Sequence, residues 1–225
     1  MQKIIKTLII IITIVFIFIL ALKTPFVKYP ATLLFSHALK SDVSMQKCSI
    51  SLKGDIIASG VDIKNEKGLH CVIGEADIKT DFMRLLRKEL YMECSLKKVE
   101  LTYADSSIID GIAKLLTIEA EKLLVFDTVD GIIYIKSNET TIKDLNASGK
   151  DVSLFANGTT TDNENINYTF KLTLSENITS GIPEAIRMIF FKEQDNYSIV
   201  ELYLSGDIKK PSINFSTPLF KLRIK

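Results

Sequence analysis

The 225-residue chain has no tryptophan, two histidines, three cysteines, five prolines and a net charge of only +1. Each shortage removes a class of function. Without tryptophan, a common platform for stacking sugar rings is missing. With 28 basic side chains against 27 acidic ones there is no electrostatic surplus for a phosphate backbone, so no nucleic-acid partner is expected. His37 and His70 belong to no HExxH, no GxSxG occurs, and Gly74 and Gly111 stand in no phosphate-cradling loop. No enzyme, catalytic residue, metal site or cofactor is therefore implied. Three cysteines, Cys48, Cys71 and Cys94, allow at most one bridge, of which Cys48 to Cys94 is the one considered, and their 23-residue spacing lacks the close-set pairs of a zinc site. Cys48 alternates with Ile50 and Leu52, and Cys94 with Met92 and Leu96, which suits small buried hydrophobes. The modest proline and glycine content, beside 47% apolar residues, excludes a collagen-like repeat and a disordered tail.

What is present in excess is one apolar run. Leu8 to Leu22 reads LIIIITIVFIFILAL, with a single hydroxyl and no charge. The 16 residues from Thr7 to Leu22 make roughly 24 Å of helix, and Ile4 and Ile5 lengthen the span if Lys6 snorkels toward head groups. A cleaved secretory signal is the competing reading, because Lys3 and Lys6 form a basic leader, but no small-x-small cleavage site follows Ala21. An uncleaved anchor is expected, with the amino terminus cytoplasmic. The chain then divides into a cytoplasmic stub and anchor at 1–23, a juxtamembrane amphipathic segment at 24–43, and an exported β-rich domain at 44–225.

After Ser41 the hydrophobic period becomes two. Ile50 and Leu52, then Ile57, Val61 and Ile63, then Val72, Ala76 and Ile78 alternate with polar residues, separated by turn signals at Lys53-Gly54-Asp55 and Asn65-Glu66-Lys67-Gly68. This predicts an antiparallel meander. Asp81 is placed to cap a short helix with Phe82, Leu85 and Leu86 on one stripe. Leu90, Met92, Cys94 and Leu96 share a face, and beyond Lys97-Lys98 the phase shifts to Val99, Leu101 and Tyr103, predicting a bulge or bend. Asp105 to Leu124 has helical spacing. Strands are expected around Gly131 to Lys136, Val152 to Ala156, Ile166 to Leu174, Tyr197 to Ser205 and Ser212 to Phe215, with a helix opened by Pro183 carrying Ile186, Ile189 and Phe190. The predicted fold class is mainly β with short inserted helices.

Two segments, GDIIASGVDIKNEKGLHCVIGEADIKTDFMRLLRKELYMECSLKKVELTY and LYLSGDIKKPSINF, together with the preceding anchor, resemble the AsmA-like proteins of bacterial envelopes. The resemblance rests on the order strand, Gly, strand, turn Gly, strand, leucine-rich helix and strands ending in an aromatic, and on a Gly and a Pro flanking a turn near the carboxyl end. It implies a single-pass bacterial inner-membrane protein whose periplasmic domain is a curved, groove-like or taco-like antiparallel sheet with an apolar concave face for phospholipid acyl chains. Phospholipid transport or outer-envelope maintenance would follow. The chain is much shorter than long members, and about ten strands stacked at roughly 4.8 Å would extend only about 50 Å. Short single-anchor proteins such as the type II secretion protein N family keep a second reading open, a membrane-tethered scaffold bound to envelope-complex proteins.

A lipid groove asks for apolar residues along one face of successive strands, and Ile50, Leu52, Val61, Leu101, Phe170, Leu172, Leu202 and Leu204 are the candidates. The same residues would also serve as the core of an ordinary closed sandwich. Asn-x-Ser/Thr triplets recur at Asn138, Asn146, Asn157, Asn167, Asn177 and Asn214, and Asp144 stands two residues before Asn146 as in the stricter bacterial acceptor pattern. Polar strand faces rich in Ser and Thr readily account for them, and in a eukaryotic lumen they would read as glycan acceptors. Arg84, Arg87 and Lys88 read as a solvated helix flank, or as a contact for lipid head groups.

Overall fold

The computed structural model describes residues 27–39, 41–51, 53–64, 69–81, 83–84, 87–103, 125–162, 164–194, 196–216 and 221–224. The apolar run of 8–22, Leu52, the Asn65–Gly68 turn, the Phe82–Leu86 stripe and the predicted helix of 105–124 lie outside them. No helix among the described residues is long and apolar enough to cross a membrane.

The fold is mainly β, a single antiparallel open sheet. Helix α1 (Lys28–Leu39) leads into β1 (Asp42–Ser44), β2 (Lys47–Ile50), β3 (Ile56–Lys64), β4 (Leu69–Thr80), β5 (Glu89–Tyr103), β6 (Val125–Lys136), β7 (Glu139–Ser148), β8 (Val152–Thr161) and β9 (Asn165–Ser175). Two short helices, α2 (Glu176–Thr179) and α3 (Glu184–Phe190), precede β10 (Lys192–Gln194), β11 (Tyr197–Asp207), β12 (Ser212–Ser216) and β13 (Lys221–Ile224). The strand order is β1-β3-β4-β5-β6-β7-β8-β9-β11-β12-β13, so the expected meander runs unbroken from β3 to β9. Eleven strands in sequence extend the sheet by about 48 Å along its hydrogen bonds. β2 joins β3 beside β1, and β10 joins β11 beside β12, so a pair of short segments flanks one side of β3 and of β11.

Local chemistry explains the turns. Gly54 takes φ +92°, while the Ser51 hydroxyl accepts hydrogen bonds from the Lys53 and Asp55 backbone N–H groups and donates to the Asp55 carboxylate. Asp81 caps as expected, its Oδ1 accepting from the N–H groups of Met83 (3.0 Å) and Arg84 (3.3 Å). Pro183 sits at the N-cap of α3 rather than in its first turn. β7 was not expected as a strand, since its alternation is broken by a bulge between Ile142 and Leu145, where Asp144 adopts φ +49° and its N–H donates to Asn157 Oδ1.

The phase shift at Lys98 is real and extends beyond β5. Ala58 and Val61, Ile73 and Ala76, Leu96 and Val99, and Phe126 and Val129 are each three residues apart, yet all eight belong to one hydrophobic core. Strict alternation would send the members of each pair to opposite faces. Register aligns the pairs across four strands, with Gly60 (φ +58°), Gly74, Lys98 (φ +54°) and Asp127 between them. Left-handed residues in β3 and β5 turn the chain there, so both sides of the break contribute to the same core. Gly74 leaves room for Lys98, since a Cβ on it would lie 3.0 Å from that residue's Cβ, a tight contact.

Candidate functional site

Because antiparallel partners share a face, the registers assemble the candidates. Ile50 stands opposite Ile56, which faces Ile78 and then Cys94. Further along the sheet Leu145, Ala156, Phe170, Leu202 and Phe215 continue that row. The next row carries Met92, Ile133, Ile142, Tyr168, Leu204 and Ile213, interrupted only by Gly158. Of the eight sequence candidates, Val61, Leu172 and Leu202 are buried, while Ile50, Leu101, Phe170 and Leu204 are half-buried on the same face. Leu52 lies outside the described residues. Met92, Ile133, Ile142 and Ile213 were not among the candidates. The alternation around Met92, Ile133 and Ile213 is legible in the sequence, that around Ile142 is broken by the bulge, and only cross-strand register reveals that the four form one row with Leu204.

The two ends of this face differ from its middle. At one end Ile182 (4% exposed) and Phe191 (2%) pack with Leu174, Val200 and Phe215, and the Phe190 ring meets Phe215 edge-on at 5.8 Å. Asp151 ties this cap down, its Oδ1 accepting from the Ser175 hydroxyl at 2.8 Å and from the Asn177 amide at 3.0 Å. At the other end Val27, just before α1, and Ala31 within it pack on Cys48, flanked by Phe35, Met45, Ile50 and Ile56. Between these caps every described strand belongs to this one sheet, so among the described residues no second sheet lies over the face. Met92, Ile133, Ile142 and Leu204 therefore remain half-buried. Polar groups also reach this surface, among them the Thr160 and Tyr168 hydroxyls, hydrogen-bonded at 2.7 Å.

The reverse face is charged. Lys97 pairs with Glu75 at 3.1 Å, His70 Nε2 lies 3.0 Å from Asp62, and Lys136 pairs with Glu89 at 2.9 Å. Hydrogen bonds from Lys136 and Tyr134 hold the Glu89 carboxyl below the usual range. Arg84 stacks over Tyr91 at 4.8 Å and over Tyr134 at 5.9 Å, so it covers aromatic surface as well as flanking a solvated turn. A cavity of about 530 Å³ on this side is lined by Ser49, Ile50, Ser51, Asp55, Ile57, Asp77 and Lys79. Of the described apolar-face candidates only Ile50 lines this cavity. The asparagine triplets lie on this reverse face, in a turn or, for Asn177, in α2: Asn138, Asn146, Asn167 and Asn177 are exposed, whereas Asn157 and Asn214 are half-buried. A further triplet, Asn196-Tyr197-Ser198, has its serine buried.

The thiols carry no chemistry that the geometry promotes. All three are free, so the considered Cys48–Cys94 bridge is not formed, and burial pushes each thiol up from its ordinary pKa. Asp62 adds to the rise at Cys71 and Glu93 to that at Cys94. Comparison with protein-family models, with curated proteins and with solved structures returns no match for this chain.

Proposed function

We propose that this is a membrane-anchored protein of the bacterial envelope whose apolar sheet face holds phospholipid acyl chains, serving lipid transport or envelope maintenance in the manner of AsmA-like proteins. The observation that carries the reading is the middle of the face: two adjacent apolar rows crossing most of the sheet, their Met92, Ile133, Ile142, Leu204 and Ile213 half-buried and no second sheet over them among the described residues. Water against such a surface is unfavourable, and each acyl methylene that displaces it contributes about 0.8 kcal/mol. The Lys97–Glu75, His70–Asp62 and Lys136–Glu89 pairs stand on the reverse face, away from the apolar rows. The anchor reading of 8–22 supplies proximity to the lipid source, and localisation in the inner membrane with the sheet in the periplasm follows from it.

The test is native mass spectrometry of the full chain released from mild detergent, alongside a variant with Leu204→Asp and Ile213→Asp on adjacent strands. Both positions are half-buried, so circular dichroism should show the sheet intact. Stoichiometric phospholipid on the parent chain, lost from the variant, supports the reading. A lipid-free parent chain of intact fold refutes it. The second reading, a tethered scaffold for envelope-complex proteins, draws on the open sheet, whose strand order does not close on itself. Sheet edges recruit partner strands through their unpaired backbone groups.

A further inference from the structure

Among its described side chains, helix α1 has one apolar side packed on the sheet and another left exposed. Val27 (8% exposed) and Ala31 (3%) are buried against Cys48, with half-buried Phe35 one turn on. Tyr29 (62% exposed), Leu33 (72%) and exposed His37 follow the same four-residue spacing on another side of the helix. The helix cannot swing to bury them in the sheet. Its carboxyl end is fastened to β1, where the Val43 N–H donates to Ser36 Oγ at 3.1 Å and the Ser41 N–H to the Ser36 carbonyl at 3.2 Å.

Two observations indicate what covers the free side. Only five residues, 23–27, separate the uncharged apolar run from α1, and six Cα steps reach at most about 22 Å. If the run lies in a bilayer, the amino end of α1 stays within that distance of its surface. The composition of the exposed side also fits a membrane boundary better than a protein one. Tyr29 carries an apolar ring with a polar tip, Leu33 supplies hydrocarbon, and Lys28 holds its ammonium 5.2 Å from the Tyr29 ring centroid, its stem available to snorkel.

The geometry points to the Tyr29–Leu33–His37 side of α1 as a lipid-docking surface, seated at the boundary between head groups and acyl chains, with its Val27–Ala31 side clamping the β2 edge of the sheet. This inference rests on the anchor reading and adds an orientation to it: α1 lies in the plane of the membrane, and the strands stack away from it. The apolar face then begins at the bilayer surface.

The absence of native tryptophan makes the test direct. Three single-tryptophan versions of the full chain, Leu33→Trp, Phe16→Trp and Ile57→Trp, are reconstituted into vesicles of phosphatidylcholine and phosphatidylglycerol with brominated acyl chains. Ile57, 59% exposed on the reverse face, is the aqueous control. Docking predicts a loss of about twofold or more in Leu33→Trp emission relative to unbrominated vesicles, as expected for side chains buried about 5–10 Å into the boundary, with the control unchanged. Quenching at Phe16→Trp without quenching at Leu33→Trp overturns the docking surface and leaves the anchor standing. In that case blue-shifted emission shielded from iodide identifies a segment of this chain as the cover, and red-shifted emission open to iodide a solvated helix. Quenching at Leu33→Trp alone supports docking and overturns the anchor. Quenching at neither overturns both.

Discussion

Truncating one side chain in the capped end of the apolar face and one in its middle should destabilise the protein very unequally. Phe215 is 1% exposed, pairs with Leu202 across the strands and meets the Phe190 ring at 5.8 Å and 76°. Phe215→Ala removes a buried ring and leaves a cavity that the surrounding strand and helix cannot fill, at a cost of about 3–5 kcal/mol. About 1 kcal/mol of that belongs to the edge-to-face contact and should appear as coupling in a double-mutant cycle with Phe190→Ala. Ile133 lies on the same face, opposite Met92 and Ile142, but is half-buried. Full burial of an isoleucine contributes about 1.5–3 kcal/mol, and a half-buried one that leaves no closed void should cost only about 1 kcal/mol. Urea unfolding followed by far-ultraviolet circular dichroism measures both, with an unchanged denaturant slope as the condition for comparison. If Ile133→Ala costs as much as Phe215→Ala, the middle of the face is covered in the folded protein and the open-face argument fails. Added phospholipid offers a second check: it should raise the stability of the parent chain more than that of Ile133→Ala.

Glu89 supplies a pH test on the reverse face. Hydrogen bonds from Lys136 and Tyr134 lower its pKa from the ordinary 4.5, so its contribution is present above that value and is lost as pH falls through the depressed one. Glu89→Gln should therefore flatten the acid limb of the stability profile below about pH 4.5 in urea titrations. Lys136, raised by its hydrogen bond to Glu89, and Tyr134, raised by burial and by the same carboxylate, contribute below their ordinary values and lose that contribution as pH rises past 10, so the same variant should also flatten the alkaline limb. Native Cys48, 6% exposed with its thiol pushed up by burial, should react with a disulfide reagent about tenfold or more slowly than in urea-unfolded protein, and equal rates would contradict its place beneath α1. At Gly158 a Cβ would lie 2.3 Å from both the Asn167 carbonyl and the Tyr168 ring. Gly158→Val should displace that ring from Thr160 and destabilise by about 1–3 kcal/mol, read as a lower urea midpoint; an unchanged midpoint would refute the close approach.

Alternation was legible where it was uninterrupted. Ile166 to Leu174 reads as five apolar positions opposite polar ones, and β9 occupies Asn165–Ser175. The caps at Asp81 and the turn at Gly54 were legible for the same reason, since their chemistry is complete within a few residues. β7 escaped notice because the extra residue near Asp144 breaks its period, and a two-residue repeat carries no memory across a bulge. Helix α2 escaped because four residues give no full helical repeat to detect.

What the sequence determined alone is that most of these segments are strands with an apolar and a polar side, because successive side chains of an extended chain point in opposite directions whatever lies beside it. Which apolar sides join was decided only in the tertiary structure. Hydrogen-bond register set Ile133 beside Met92 and aligned the break at Gly60, Gly74, Lys98 and Asp127 across four strands. The placement of α3 over Phe215 and of α1 over Cys48 then capped the ends of the face and left its middle open. These are contacts between residues far apart in the chain, and the local period of a strand holds no record of them.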